Sequence, residues 1–394
     1  MYKILGLYSR EVLDSRNPTV EVDIIVANNE RFAKRAIVPS ASTGVHEAIE
    51  LRDDPKRYKV LKAVENVNKI IKDAILNKDF ESFRELDKFL IDLDTENKSN
   101  LANAMLVSMA FVVACANSET RLYDFISNGH ARVLPYPMMN ILNSHADNSL
   151  DIQEFMIVPI GATNFHEAVR MSEVFHSLKT ILKEKKYSTG VDEYAPNLSS
   201  NEEALDLIVD AINKAYDTNK IKLALDVAAS EFYKDKYIMK EKIFNSEELI
   251  KFYESMISKY PIISIEDGLS EDDFDWKILQ EKLKKIMIVD DLLVTNISRL
   301  KMAIDKKLCN SILIKLNQIG TVSETIDAVN LAHEYDMKAI ISHRSGETED
   351  TFIADFSVAM NTFIKTSLSR TDRIAKYNQI MRIEDRLEGK RYGE

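Results

Sequence analysis

The sequence predicts an α/β protein: a closed (β/α)8-type barrel over residues 131–394, preceded by a smaller α+β domain over residues 1–130. Three observations lead there. The chain has 394 residues, 45% of them hydrophobic, which is more than one simple core accommodates. Near residue 131 the patterning changes, from mixed strand and helix signals to regular alternation. Beyond that point short apolar, β-branched runs are separated by amphipathic stretches, an alternation that implies a parallel sheet flanked by helices.

In the first part, residues 19–27 (TVEVDIIVA) alternate with the period of a half-buried strand. Residues 59–90 and 100–115 place apolar side chains at helical spacing. In the second part, KLALDVAAS, IISIEDGL, IMIVDDLL, SILIKLNQIG, KAIISHRSG and FIKTS read as barrel strands. Between them, Ser200-x-x-Glu203 and Thr321-x-x-Glu324 have the spacing of a reciprocal helix cap and predict helix starts. The methionines at 105 and 109 read as core.

Bulk properties exclude several classes of function. A net charge of −11 argues against general nucleic-acid binding, which needs a basic footprint. No apolar run of about 18 residues occurs, so no membrane-spanning helix is expected. The first residues, MYKILGLYSREVLDSR, lack the zones of a signal peptide, and Cys115 and Cys309 have no metal or redox spacing. These features lead us to expect a cytoplasmic protein with buried, reduced cysteines.

The chemistry-bearing residues sit where the apolar runs end: Asp226, Glu266, Asp290, Lys315, His343 and Lys365. After Glu266 the intervals are 24, 25, 28 and 22 residues, about one strand–helix unit each. Strand ends of the same sense converge on one barrel face, so three acids, two lysines and a histidine would share one mouth. Three carboxylates suit a hard divalent cation such as Mg²⁺. A lysine beside a metal can serve as a base, and Arg344 and Lys365 suit a phosphate or carboxylate. A single acid at a strand end is usually a solvated loop residue, whereas six in succession are harder to dismiss. Asp291 is an alternative to Asp290 as a ligand. The histidines at 130, 166, 176 and 333 read as surface or helix-face residues, and the lysines of 183–186 as solvent-exposed.

At these residues the chain resembles the enolase family over nearly its whole length. The phrases that carry the resemblance are LDSRNPTVEV, VPSASTGVHEAIELRD, NILNSHADN, LDIQEFMIVP, LALDVAASEFY, SIEDGLSEDD, LIKLNQIGT, SHRSGETEDTFIADF and AKYNQIMRIE. The resemblance implies a Mg²⁺-dependent lyase that interconverts 2-phosphoglycerate and phosphoenolpyruvate, with two Mg²⁺ per site, the second arriving with substrate. It implies that Asp226, Glu266 and Asp290 hold the first Mg²⁺ and that Ser42 helps to hold the second. Lys315 matches the base at C2, and Glu193 the acid that assists departure of the C3 hydroxyl. His145 and Glu154 match residues around the leaving group and the closing loops, Gln153 belongs to the same active-site strand, Arg344 and Ser345 match phosphate contacts, and His343 and Lys365 further substrate contacts. A homodimer through the N-terminal domain is implied, with Arg16 near the contact and a larger assembly as an alternative.

The chain departs from the family pattern chiefly in glycine, of which it has 10. The family reads SRGNPT, PSGAST, NGGSHADN, GDEGG and GDDL. Here the corresponding stretches begin at Ser15, Pro39, Asn143, Val191 and Val289, each one or more glycines short. Comparable losses fall near 100–107, Met171, Asp275 and Thr362. Such losses should displace Ser42, His145 and Glu193 more than the barrel acids and Lys315, and should rotate the face of the 100–115 helix by about 100°. A catalytically silent scaffold, in an RNA-processing assembly or on a cell surface, is the competing expectation. A superfamily enzyme acting on a non-phosphorylated carboxylate is a second alternative.

Overall fold

The structure is a computed structural model that describes residues 1–39, 53, 59–94, 104–116, 120–144, 150–187, 194–240, 242–271, 273–290 and 293–393. In the N-terminal part, β1 (Tyr2–Leu13) and β2 (Pro18–Asn28) form an antiparallel hairpin with register from Lys3↔Ala27 to Leu13↔Pro18. β3 (Glu30–Val38) continues on the far side of β2, and β4 (Asp79–Phe80) pairs with β1, giving the order β3-β2-β1-β4. Val20, Val22, Ile24 and Val26 alternate onto the buried face, as the period-two pattern predicted. The hairpin turn, one glycine shorter than the family's, is closed by a side chain. Asp14 Oδ1 accepts the N–H of Arg16 (2.7 Å) and of Asn17 (2.6 Å), so no left-handed residue is needed.

The helix Ala104–Ala116 packs on this sheet and buries residues on every side. A helix that is apolar all round tolerates rotation better than an amphipathic one. Ser108 is the exception, because its hydroxyl has a specific partner in the barrel.

The second part opens with β5 (Val133–Leu134), then β6 (Pro137–Asn143), β7 (Glu154–Val158) and β8 (Lys222–Asp226). A small hairpin follows, β9 (Tyr237–Met239) with β10 (Lys242–Phe244). Next come β11 (Ile262–Glu266), β12 (Met287–Asp290), β13 (Ser311–Ile314), β14 (Lys338–Ser342) and β15 (Phe363–Ser367). The last strand, β16 (Arg391–Tyr392), pairs with β5. Eight strands close the barrel in the order β11-β12-β13-β14-β15-β6-β7-β8.

One feature corrects the expectation of an all-parallel sheet: β7 runs antiparallel to both β6 and β8. The connection from β6 to β7 spans 144–153, shorter than the dozen or more residues that a parallel crossover needs. Inside the barrel Met138, Met156, Val158, Ala224, Val289, Leu313 and Ile340 form a cluster separate from the main core beneath the helices. Cys115 and Cys309 are buried and unbridged. Among the described residues no helix is long and apolar enough to cross a membrane.

The two parts meet at the start of the helix Val322–Glu334. Its first N–H groups, which have no partner within the helix, are satisfied in turn. Ser108 Oγ accepts from Val322 (3.0 Å), Asp87 Oδ2 from Ser323 (2.9 Å), and the predicted cap Thr321 from Glu324 (3.3 Å). Two of these three acceptors belong to the N-terminal part, so the barrel helix is capped across the interface.

Asp87 is fully buried, and burial raises its carboxyl to about 6, an effect that the hydrogen bonds from Ser108 and Ser323 only partly offset. The folded state therefore holds a proton that the unfolded state has already released above its ordinary value of 3.8. This contribution to stability is present at acid pH and is lost as pH rises through about 6. Urea unfolding of the parent and of Asp87→Asn at pH 4.5 and 7.5 should show the parent losing about 2 kcal/mol more than the variant over that interval. Equal losses would mean that Asp87 titrates normally.

Candidate active site

The ends of β8 and β11 carry Asp226 and Glu266, which are neighbours in register. Within two residues of each, the chain enters the left-handed region at a residue other than glycine: Ala228 (φ 49°) and Asp267 (φ 48°). These sharp exits leave the two carboxylates at the rim of the barrel, at a cost of about 1–3 kcal/mol each. Because β7 is reversed, its first residue, Glu154, stands beside Asp226 at the same rim. A parallel β7 would have put Glu154 at the opposite end.

Lys365 lies in the middle of β15 rather than at its end, opposite Ser342. Its Nζ reaches Asp226 Oδ2 at 2.8 Å, Glu266 Oε1 at 2.7 Å and Oε2 at 2.8 Å, and Glu154 Oε2 at 3.0 Å. Burial opposes the ammonium charge, but the carboxylates of Asp226, Glu154 and Glu266 outweigh it and hold Lys365 well above the usual lysine range. Three carboxylates face one ammonium in a dry place. Burial first, and then the neighbouring Asp226, hold Glu266 well above the usual carboxylate range.

Lys315 directly follows β13, and its N–H donates to Thr295 Oγ1 (3.0 Å), whose hydroxyl in turn donates to Gln318 Oε1 (3.0 Å). Val294 (φ 42°) and Thr295 (φ 57°) are both β-branched and both left-handed, an arrangement held only where surrounding contacts over-determine it. The strain lies at the residue that fixes the backbone of Lys315. β13 runs parallel to β12 and β14, so Lys315 stands at the same end of the barrel as Asp290 and His343.

His343 follows β14 and its N–H donates to Lys365 O (3.0 Å). Its ring contacts Thr366 Oγ1 (3.3 Å) and Arg373, whose Nη1 lies 3.0 Å from Nε2. Burial, then the cations Arg373 and Lys365, hold it well below the usual histidine range, so the ring is neutral. Arg344 is buried, with its N–H donating to Glu347 Oε1 (3.1 Å), and the Ser345 carbonyl accepts from Arg373 Nη2 (3.1 Å). Gln153, just before β7, donates from its N–H to Asp226 O (2.9 Å) and from Nε2 to Glu231 (3.2 Å).

The structure thus gathers Glu154, Asp226, Glu266, Lys315 and Lys365 at one mouth, with His343 joined to Lys365 through its backbone. Ser42, His145 and Glu193 lie outside the described residues, as does Asp291. Asp290 ends β12, next to β11, and its side chain is outside the description. Among the described residues no three ligating side chains form a metal cluster. The donor set nevertheless fits a cation. Asp226 Oδ1 is buried without a hydrogen-bond partner, and the carboxylates around it already enclose one positive group. Glu347, Arg373 and Lys376 also stand behind the 343–345 segment, and no strand-end spacing in the sequence marks them. A helical signal was available, since Arg373, Lys376, Tyr377, Ile380 and Glu384 follow the buried stripe of the helix Thr371–Glu384, which puts charged residues on a core face.

Fold and site together define a two-part α/β-barrel enzyme whose acid and lysine side chains converge at one barrel mouth. The family model described as "Enolase, C-terminal TIM barrel domain" matches residues 131–392, and "Enolase, N-terminal domain" matches residues 4–126. The chain belongs to the enolase family, and these domains point to a lyase of the enolase superfamily.

Replacing Lys365 by Met would leave the buried carboxylates of Asp226 and Glu266, and the half-buried one of Glu154, without their counter-charge. Breaking a buried pair in this way costs about 3–5 kcal/mol. Unfolding of Lys365→Met in the presence of a chelator should show a loss of that order, part of which added Mg²⁺ restores. A variant as stable as the parent in chelator would show that the carboxylates do not depend on the ammonium.

Proposed function

We propose that the protein interconverts 2-phospho-D-glycerate and phosphoenolpyruvate plus water, with Mg²⁺ as cofactor. The observation that carries this reading is the ring of Asp226, Glu266, Lys365 and Lys315 at one barrel mouth, flanked by the His343–Arg344–Ser345 segment. That set suits a substrate with two anionic groups and a weakly acidic carbon between them.

In this reading Arg344 and Ser345 take the phosphate, Arg344 with a planar fork suited to that geometry. Lys315 removes the C2 proton, held in place through its backbone bond to Thr295. Neutral His343 offers a hydrogen bond without adding charge. Lys365 supplies a fixed ammonium for substrate charge. Asp226, Glu266 and Asp290 would hold Mg²⁺, and Ser42 would contribute toward a second. The metal, when bound, supplies positive charge next to the substrate carboxylate as the proton leaves. Glu193 would assist departure of the hydroxide, and Glu154, Gln153 and His145 would line that side of the site. We also propose a homodimer through the N-terminal sheet near Arg16, a reading supported by the exposure of Tyr8 and Leu13 on β1.

The test is formation of phosphoenolpyruvate from 2-phosphoglycerate, followed by ultraviolet absorbance with and without Mg²⁺. Turnover should require the metal. Lys315→Ala should lower kcat about 10²–10⁴-fold, abolish exchange of the C2 proton and leave Mg²⁺ binding in place. Exchange at the parent rate in that variant would remove Lys315 as the base.

A further inference from the structure

The segment that carries Arg344 and Ser345 is held by a buried ion pair that the chemistry above does not use. Glu347 is 4% exposed and Lys376 is 1% exposed. Glu347 Oε1 accepts the backbone N–H of Arg344 (3.1 Å), and Oε2 accepts the N–H of Thr348 (3.1 Å) and Lys376 Nζ (2.5 Å). Lys376 Nζ also donates to the carbonyls of Thr348 (2.7 Å) and Asp372 (2.8 Å), so its three protons each have an acceptor. The backbone of Glu347 is fixed as well, by exchange with Ser15. Its N–H donates to Ser15 Oγ (2.9 Å), and its carbonyl accepts the Ser15 N–H (2.8 Å). Glu347 is thus bonded through both carboxylate oxygens, its N–H and its carbonyl, and one of those bonds ends on the residue whose guanidinium faces substrate in our functional reading.

A buried ion pair is weak evidence for stability, because apolar residues of similar volume often replace one without loss. What such replacements do not reproduce is directed hydrogen bonding. An apolar side chain at 347 would leave the Arg344 N–H without its acceptor, and the turn would be free to change its backbone torsions. Small displacements of a group that positions substrate are costly. We propose that Glu347, kept buried by the charge of Lys376, is a positioning residue for the reaction. It fixes the backbone at Arg344 and so aims the guanidinium at the substrate's phosphate. The proposal rests on the functional reading only in taking Arg344 as an anion contact.

The experiment compares two charge-balanced double variants. Glu347→Leu with Lys376→Met removes both the pair and the acceptor, whereas Glu347→Gln with Lys376→Met removes the charges but keeps an oxygen for the Arg344 N–H. Binding of inorganic phosphate in the presence of Mg²⁺ is measured by calorimetry, along with KM and kcat for 2-phosphoglycerate and the thermal unfolding midpoint. We expect the first double variant to weaken phosphate binding and raise KM about tenfold, with kcat changed less than threefold. The second should recover to within about twofold of the parent, and both should unfold within a few degrees of each other. Parent-like phosphate affinity in the Leu-containing variant would overturn the proposal. Affinity losses that track the unfolding midpoint equally in both variants would also overturn it, since they would indicate a structural role only. A parent protein that fails to bind phosphate would remove the anion contact and the proposal with it. If the parent binds phosphate with the expected variant pattern but does not turn over 2-phosphoglycerate, the functional reading fails and the positioning role stands.

Discussion

The ammonium of Lys365, enclosed by Glu154, Asp226 and Glu266, is the constraint on which the arrangement of the barrel mouth depends. Charges of this kind are tolerated away from water only when paired at close range. Each partner has to come from a different strand, and each strand has to deliver its residue at the same height. β8 and β11 do so with their last residues, and β15 with its middle one. β7 does so with its first residue, which is possible only because it runs backwards. The reversed strand is therefore a condition of the site, since it puts an acid on the rim that a parallel strand would have sent to the opposite end.

The N-terminal part contributes to that site from outside the barrel. The 343–351 segment grips it at two points, through Glu347 with Ser15 and through Asp350, whose Oδ2 accepts the N–H of Ile37 (3.0 Å). Farther along, Asp87 and Ser108 cap the barrel helix that follows the Lys315 strand. A displacement of the N-terminal sheet would therefore reach both the anion-contacting turn and the element behind the base. This explains why a helix as uniformly apolar as Ala104–Ala116 carries a buried serine.

The scarcity of glycine is met by other means at the described positions. Asp14 closes the β1–β2 turn with its side chain, and Asn361 takes the left-handed conformation that ends the helix Phe352–Met360. Asparagine and aspartate accept that conformation at modest cost, because their short side chains bond to nearby backbone. Val294 and Thr295 have no such compensation, and their strain is borne where it fixes Lys315.

By itself the sequence determined the two-part organisation, the positions of β2, β8 and β11–β15, and that Asp226, Glu266 and Lys315 stand where their strands end. The reason is local: hydrophobic period and turn chemistry are written in consecutive residues, and strand ends in a barrel converge whatever the details between them. Tertiary structure alone decided the direction of β7, because the alternation is the same for a strand run either way. It alone decided that Lys365 reaches inward from mid-strand to three carboxylates that stand 99–211 positions away in the chain. It also decided that Glu347 and Lys376, which are ordinary charged residues in the sequence, are buried as a pair behind Arg344. Burial and pairing are set by what distant segments place alongside a residue, and no window of sequence contains that information.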